Sequence, residues 1–304
     1  MIVWQAHKGK IESLAFSADG RFLATATGGT RTVHLWDATS GTLIRKLSAD
    51  WPDARRLGAV KAVAFAPQAP LVIAATDRSA TVWDTNTWEA VSDLHAVYAY
   101  ELSIGPGGTP ALAASNYDGV ELWDDCGRPM ETERLALSRR FSPQGGVNSL
   151  DFSPDGKLLA VCNTRQAALW NPAGPTKVRA LARPPGNHRG AVRFSPDGSR
   201  VAVAHGKMVD VWDVAAKGDP LLTLVAGSGR QPAVWCVGWS DGGRVLLTAG
   251  ADGFARFWDA ATGAEVRSFA WDIGKVYCAA FSPDGLTCAA GGTNGQVVVW
   301  DVDA

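Results

Sequence analysis

The chain has 304 residues, 46% of them hydrophobic, and its 29 basic and 30 acidic residues leave a formal net charge of −1. The hydrophobic fraction is typical of a globular protein and excludes a disordered chain, and the balanced charge excludes a general attraction to nucleic acid or membranes. No stretch approaches the roughly 18 apolar residues of a membrane-spanning helix, and the N-terminus lacks the features of a secretory signal. We therefore expect a cytoplasmic protein.

The five cysteines form no C-x-x-C pair, and their number is odd. This pattern favours small buried side chains in a reducing compartment over disulfides or a metal site. The five histidines are scattered, and no nucleotide-binding loop or nucleophile motif is present. We therefore predict that the protein is not an enzyme and that it has no cofactor and no metal ion.

A repeated pattern dominates the chain from its N-terminus onward. A Trp-Asp pair preceded by alternating apolar residues recurs six times, and Trp170-Asn171 occupies the one missing position. Successive tryptophans are 40 to 47 residues apart, which is the length of a four-stranded unit. The seven tryptophans, to which we assign a structural role, are Trp36, Trp83, Trp123, Trp170, Trp212, Trp258 and Trp300.

A turn motif keeps phase with the tryptophans. Phe-Ser-Pro-Asp-Gly begins at Phe152, Phe194 and Phe281, and Phe-Ser-Ala-Asp-Gly begins at Phe16. Proline fixes φ at the first central position of such a turn, and glycine accepts the positive φ that closes a hairpin. Each unit is therefore predicted to contain four short strands. In the fourth unit they are predicted at residues 147–152, 158–161, 166–170 and 177–181.

In these Trp-Asp pairs and turns the chain resembles the WD40 family across essentially its whole length. The resemblance implies an all-β, seven-bladed β-propeller with four antiparallel strands per blade, forming a single domain over residues 1–304. The last unit ends after three strands, and Ile2-Val3-Trp4 resembles the missing fourth strand. We therefore expect the strand Ile2–Trp4 to complete the C-terminal blade and to close the ring, which leaves no open sheet edge.

Many members of the family carry a buried network of His, Ser or Thr, Asp and Trp in each blade, and this network is incomplete here. The first unit has Thr30 and the seventh has Asn294 where the network has aspartate. We therefore expect packing to contribute more to stability than this network does. The aspartates that remain at the position, with a predicted structural role, are Asp77, Asp118 and Asp252.

The resemblance places the loops between successive blades on one rim, which we call the top face. We predict these loops at residues 7–10, 48–59, 95–98, 136–146, 182–190, 225–233 and 270–275, and they carry ten basic and three acidic residues. A basic top face would attract an acidic or phosphorylated partner. The alternative is that these arginines are solvated and that the acidic opposite rim follows from the family's turn aspartates alone.

Aromatic residues without a core position point to the same face. Trp51 and Trp271 fall in predicted top loops, and Trp235 and Tyr277 start the inner strands of two adjacent units. Exposed aromatic and arginine side chains carry much of the energy of protein interfaces. The alternative is that they cap the channel or pack under their own loops. The candidate partner-binding residues are Trp51, Arg55, Arg56, Tyr98, Tyr100, Arg139, Arg140, Arg189, Arg230, Trp235, Trp271, Lys275 and Tyr277.

The sequence therefore predicts a non-catalytic protein–protein interaction scaffold that binds a protein or peptide on its top face. We expect it to be monomeric on its own or to be a module of a larger assembly. One alternative is binding of a polyanion, either nucleic acid or anionic lipid, through the basic loops, although the isoelectric point of about 6.5 argues against it. A second alternative is an enzyme whose site lies in the central channel.

Overall fold

The computed structural model describes residues 1–48, 59–76, 79–95, 99–106, 111–116, 118–124, 138–143, 145–182, 190–229 and 233–303. Within these ranges the chain forms seven separate four-stranded antiparallel sheets. In each sheet the strands are hydrogen-bonded in the order of the sequence, except that the last sheet takes its fourth strand from the N-terminus. The sheets are the seven blades of a β-propeller, as the sequence predicts.

The strand bounds of the blades are as follows. Blade 1 has β2 (Ile11–Phe16), β3 (Phe22–Thr27), β4 (Thr32–Asp37) and β5 (Leu43–Ser48). Blade 2 has β6 (Val60–Phe65), β7 (Leu71–Thr76), β8 (Ser79–Asp84) and β9 (Ala90–His95). Blade 3 has β10 (Glu101–Ile104), β11 (Leu112–Ser115), β12 (Val120–Trp123) and β13 (Arg139–Phe141). Blade 4 has β14 (Val147–Phe152), β15 (Leu159–Asn163), β16 (Ala167–Asn171) and β17 (Thr176–Ala182).

Blade 5 has β18 (Ala191–Phe194), β19 (Arg200–His205), β20 (Met208–Asp213) and β21 (Leu222–Val225). Blade 6 has β22 (Val234–Trp239), a single 3-10 turn (Asp241–Gly243), β23 (Val245–Gly250), β24 (Phe254–Asp259) and β25 (Glu265–Ala270). Blade 7 has β26 (Val276–Phe281), β27 (Thr287–Gly292), β28 (Gln296–Asp301) and β1 (Ile2–Gln5). The first strand of each blade lines a central channel, and the cavity in this channel has a volume of about 470 Å³.

The N-terminal strand closes the ring. β1 pairs antiparallel with β28, from Ile2 opposite Val299 to Gln5 opposite Gln296. The backbone N–H groups of Ala6 and His7 both donate to the carbonyl oxygen of Gly295, at 3.0 Å. The predicted closure is confirmed, and the strand is one residue longer than expected.

The turns between the first and second strands follow the predicted motif. In blade 4, the Ser153 hydroxyl donates to Asp155 Oδ1 at 2.6 Å, and the backbone N–H of Lys157 donates to the same oxygen at 3.1 Å. These hydrogen bonds stabilise the ionised carboxylate and lower the pKa of Asp155 to about 2. Gly156 has φ of +70°, which explains why glycine follows the aspartate.

The hydrophobic core lies between neighbouring blades. Trp83 of blade 2, 3% exposed, packs in one cluster with Val33 and Leu35 of blade 1. Six of the seven repeated tryptophans are buried, and the seventh, Trp170, is half-buried against the Phe141 ring. The repeated tryptophans thus contribute to the packing between blades.

The polar network around these tryptophans is present in part. The Trp36 indole N–H donates to Thr25 Oγ1 at 2.8 Å, and that of Trp258 donates to Thr248 Oγ1 at 2.9 Å. Trp170, Trp212 and Trp300 have buried indole N–H groups without a hydrogen-bond partner among the described residues. These three tryptophans are therefore held by packing and not by a hydrogen bond from the indole N–H group.

The predicted structural aspartates differ in their surroundings. The Asp252 side chain is 8% exposed, and its carboxylate contacts Arg256 at 2.8 Å and accepts from the Ser228 N–H at 3.0 Å. Asp118 is exposed, so its predicted place in a buried network is wrong. Asn116 takes that place because its side chain, directly after β11, accepts from the backbone N–H groups of Asp118 and Gly119. Asp77 lies outside the described residues.

Candidate functional site

The site that the structure presents is the opening of the channel on the top face. We call the following six residues, which lie at or just before the starts of the inner strands and line the cavity, the mouth: Lys10, Glu12, Lys61, Tyr100, Trp235 and Tyr277. Each inner strand runs along the channel from the top face toward the opposite face. The first residues of the inner strands therefore lie together at one end of the channel. Of the predicted partner-binding residues, three belong to the mouth: Tyr100, Trp235 and Tyr277.

Trp235 and Tyr277 form an aromatic pair at the mouth. Each is the second residue of its inner strand, in blades 6 and 7, and their ring centroids are 4.7 Å apart with an interplanar angle of 49°. Both are half-buried, so each ring keeps part of its surface open to the channel. The same irregularity follows each strand's first residue, between Val234 and Cys236 and between Val276 and Cys278, which places the two rings at one level.

Lysine side chains lie over both rings. Lys10 Nζ is 4.5 Å from the Tyr277 ring centroid and 3.5 Å from its hydroxyl oxygen. Lys275 Nζ is 5.8 Å from the Trp235 ring centroid. The negative face of an aromatic ring attracts an ammonium group. The predicted residue Lys275 thus borders the mouth.

A cluster of three charged side chains continues the mouth from blade 1 to blade 2. Lys10 Nζ lies 2.9 Å from Glu12 Oε1, and Lys61 Nζ lies 3.7 Å from the same oxygen. The Glu12 side chain is only 8% exposed, whereas those of the two lysines are 38% and 29% exposed. Two ammonium groups therefore share one carboxylate. The partner-binding residues predicted from the sequence do not include Lys10, Glu12 and Lys61, although Glu12 and Lys61 are second residues of inner strands, as Trp235 and Tyr277 are.

An ionic network lies deeper in the channel and joins blades 3, 4 and 5. The Arg193 guanidinium contacts the Glu101 carboxylate, and its Nη1 donates to Ser149 Oγ at 3.1 Å and to the Val192 carbonyl oxygen at 2.7 Å. Burial alone would lower the pKa of Arg193, but the nearby carboxylates of Glu101 and Asp151 outweigh it and raise this pKa. The donors of Arg193 are thus directed at groups of the protein.

Asp151 belongs to the same network. Its Oδ2 accepts from the backbone N–H of Phe194 at 2.8 Å, and its Oδ1 accepts from the Ser103 hydroxyl at 3.3 Å. Burial raises the pKa of Asp151 to about 6, in spite of the nearby Arg193 charge. These bonds cross from blade 4 to blades 3 and 5, so the network fixes the relative position of three inner strands.

Arg139 and Arg140 do not lie in a top-face loop, and that part of the prediction is wrong. Both are in β13, the outer strand of blade 3, where Arg140 is opposite Glu121 of β12. The Arg140 guanidinium contacts Glu121, whose side chain is 1% exposed, and Arg139 Nη1 lies 3.2 Å from Asp124 Oδ1. Strand pairing places these two arginines at the side of the propeller, beside carboxylates of their own blade.

Trp271 packs beneath its own loop, which is the alternative given in the sequence analysis. Its ring lies 4.3 Å from that of Trp300 and stacks on Phe269 at 5.6 Å with an interplanar angle of 5°. It is half-buried and packs against the core between blades 6 and 7. The remaining predicted residues, Trp51, Arg55, Arg56, Tyr98, Arg189 and Arg230, lie outside the described residues.

The described ranges contain no group of three or more His, Cys, Asp or Glu side chains that could hold a metal ion. They also contain no helix long and apolar enough to cross a membrane. The mouth presents two aromatic rings, ammonium groups over these rings and one carboxylate that is shared by two lysines.

Seven four-stranded blades around a channel, with a repeated tryptophan near the end of the third strand of each blade, define a seven-bladed β-propeller of the Trp-Asp repeat class. The sequence model of the WD40 family (WD domain, G-beta repeat) matches residues 1–37, 52–84, 136–171, 218–259 and 263–301. The chain belongs to the WD40 family. Residues 85–135 and 172–217 lie between matched segments, and they contain most strands of blades 3 and 5.

Two relatives illustrate the breadth of the similarity. The serine-threonine kinase receptor-associated protein of Gallus gallus is 23% identical over 298 residues, which are 97% of this chain and 67% of that protein. The small ribosomal subunit protein RACK1y of Oryza sativa subsp. japonica is 26% identical over 128 residues, which are 39% of this chain and 36% of that protein. The match to the rice protein thus spans about a third of its length.

Proposed function

We propose that this protein is a non-catalytic interaction scaffold that binds a protein or peptide at the mouth. The observation that carries the proposal is the pair of half-buried rings, Trp235 and Tyr277, at the opening of a cavity of about 470 Å³. Aromatic side chains that are already held in place lose little conformational entropy on binding and contribute large contact areas. A partner segment that enters the channel would cover both rings.

The relatives support an interaction role. The name of the chicken relative describes a protein associated with a kinase receptor, and the name of the rice relative places it in a ribosomal subunit. The described side chains at the mouth are engaged in ring contacts and ion pairs, which suit recognition more than bond making. Both points favour binding over catalysis.

Affinity capture from a lysate of the source cells, with the immobilised protein, tests the proposal. We expect the wild type to retain a protein that the double variant Trp235→Ala, Tyr277→Ala loses. Val178→Ala is the matched control, since Val178 is 58% exposed on the outer strand β17, far from the mouth. Capture that is unchanged in the double variant, or equally reduced in Val178→Ala, would refute a role of the mouth. Thermal unfolding of each variant confirms that it is folded.

A further inference from the structure

The cavity lining carries one positive charge more than it has negative charges. Among the described residues of the lining, the cations are Lys10, Lys61 and Arg193, and the carboxylates are Glu12 and Glu101. Arg193 and Glu101 form their own ion pair. The excess charge therefore lies on the Lys10–Glu12–Lys61 cluster, at the outer end of the cavity and beside the aromatic pair.

The cluster is arranged to hold a second carboxylate. Glu12 is almost buried beneath the two lysines, whose side chains are 38% and 29% exposed. The Tyr277 ring holds the Lys10 ammonium group at 4.5 Å, so this cation is positioned before any ligand arrives. Positioned charges lose less entropy on binding than mobile ones do. An anionic group that approaches from the channel meets two ammonium groups and only one competing carboxylate.

The chemistry of the cluster favours a carboxylate over a phosphate group. A phosphate carries about −1.5 to −2 charges at neutral pH, and arginine forks are its preferred partners because they donate two parallel hydrogen bonds. The cluster has an excess of one positive charge, and both of its cations are lysines. The arginine in the described lining, Arg193, is directed at Glu101, Ser149 and Val192. One carboxylate would neutralise the excess charge.

We infer that the mouth recognises an acidic peptide segment, with a Glu or Asp carboxylate of the partner bound between Lys10 and Lys61 and a neighbouring residue against Trp235 and Tyr277. The inference rests on the proposed function and adds the chemistry of the partner. A cavity of about 470 Å³ is in the size range of ligand pockets and accommodates a few residues. This volume suits a short segment more than an extended polyanion, which requires a long cationic groove.

The test is direct binding of fluorescein-labelled hexapeptides, measured by anisotropy at two salt concentrations. The peptides have the sequences Gly-Glu-Trp-Glu-Gly-Ser and Gly-Gln-Trp-Gln-Gly-Ser, which differ only in charge. We expect the Glu peptide to bind more tightly, and the double variant Lys10→Met, Lys61→Met to lose this preference with a drop of about tenfold or more in affinity. Glu12→Gln removes the competing carboxylate and should increase the affinity for the Glu peptide. An unfolded variant cannot produce such an increase.

Lys217→Met is the matched control, because Lys217 is exposed in the turn between β20 and β21, at the opposite end of the blades from the mouth. It should bind the Glu peptide like the wild type. Equal binding of the two peptides, no binding of either, or unchanged binding in the double lysine variant would overturn the inference. Tighter binding of a phosphoserine version, or of an unlabelled dT12 competitor, would overturn it in favour of a phosphate ligand. Aromatic-dependent capture from the lysate could still succeed in each of these cases, so the two proposals fail separately.

Discussion

The imidazole ring of His7 stacks on that of His34, with ring centroids 4.1 Å apart and an interplanar angle of 22°. His7 follows the closing strand β1, and His34 lies in β4 of blade 1, so the stack joins the closure of the ring to the first blade. His7 Nε2 is 2.9 Å from Thr25 Oγ1, which already accepts from the Trp36 indole N–H. The Thr25 hydroxyl is thus able to donate to a neutral His7.

We expect acid to lower the free energy of unfolding because it protonates His7. Burial, followed by the nearby His34 and Lys46 charges, lowers the pKa of His7 from 6.5 to about 4. The unfolded chain therefore binds more protons than the folded chain between about pH 6.5 and pH 4, and the contribution of His7 to stability, about 2 to 3 kcal/mol, is lost as the pH falls through this window. Urea unfolding at pH 7.5 and pH 4.5 should show a smaller loss in His7→Gln than in the wild type.

Asp151 acts in the opposite direction, and the comparison of variants separates the two effects. Its pKa is raised to about 6, so its contribution decreases as the pH rises through the interval between 3.8 and 6. The wild type and His7→Gln share this contribution, so the difference between them reports His7 together with its coupling to His34. Identical pH profiles of the two proteins would show that His7 does not carry the acid sensitivity.

The orphan indole N–H of Trp212 can be given a partner. Thr25 and Thr248 accept from their tryptophans, and each lies two residues after the residue paired with that tryptophan, Leu23 or Leu246. Trp212 is paired with Val201, so Val203 occupies the same register position. Val203→Thr has nearly the same shape and should stabilise blade 5 by about 0.5 to 1.5 kcal/mol.

The reverse change serves as the control. Thr248→Val leaves the Trp258 indole N–H buried without its acceptor and should cost about 1 to 3 kcal/mol. Urea unfolding measures the stability of both variants. We expect their m-values to equal that of the wild type, so that a shift in midpoint reports a change in the free energy of unfolding. A destabilised Val203→Thr beside a neutral Thr248→Val would mean that the register does not place the hydroxyl at the indole.

Arg140 should matter for stability and not for binding. Its partner Glu121 is 1% exposed, and burial raises the pKa of this carboxyl against the opposing effect of Arg140. Arg140→Met leaves the carboxyl without its cation and should destabilise the protein by about 1 to 3 kcal/mol, a value reduced because Arg140 is 54% exposed. The double variant Arg140→Met, Glu121→Gln should recover most of the loss. If a stable double variant no longer captured the partner, Arg140 would instead be part of the binding surface.

Gly295 should be required for closure of the ring. It has φ of +82°, and a Cβ atom there would lie 2.1 Å from the His7 carbonyl oxygen. Gly295→Ala should therefore separate β1 from β28 and lower the melting temperature by several degrees. Gly174→Ala is the control, since nothing lies within 4 Å of its Cβ position and its φ is not positive. Equal melting temperatures of the two variants would argue against this role of Gly295.

The sequence alone determined the fold, because each blade repeats the same local signals. The buried Trp, the turn after the first strand and the alternation of apolar residues act within about 40 residues, and their sevenfold repetition identifies the propeller. The closing strand was also predictable, since three strands at one end of the chain require a fourth. The aromatic pair was found in the same way, because Trp235 and Tyr277 hold equivalent positions in adjacent repeats.

Only the tertiary structure decided which charges belong to the site. Lys10, Glu12 and Lys61 come from two blades, and their side chains form ion pairs because the inner strands converge on the channel. Arg140 counted as a loop cation in the sequence, yet strand pairing sets it opposite Glu121. In a sequence, charges can only be summed over a segment. In the folded chain, the effect of each charge depends on its nearest partners and on how deeply it is buried. The fold thus follows from repetition, and the recognition chemistry follows from contacts between repeats.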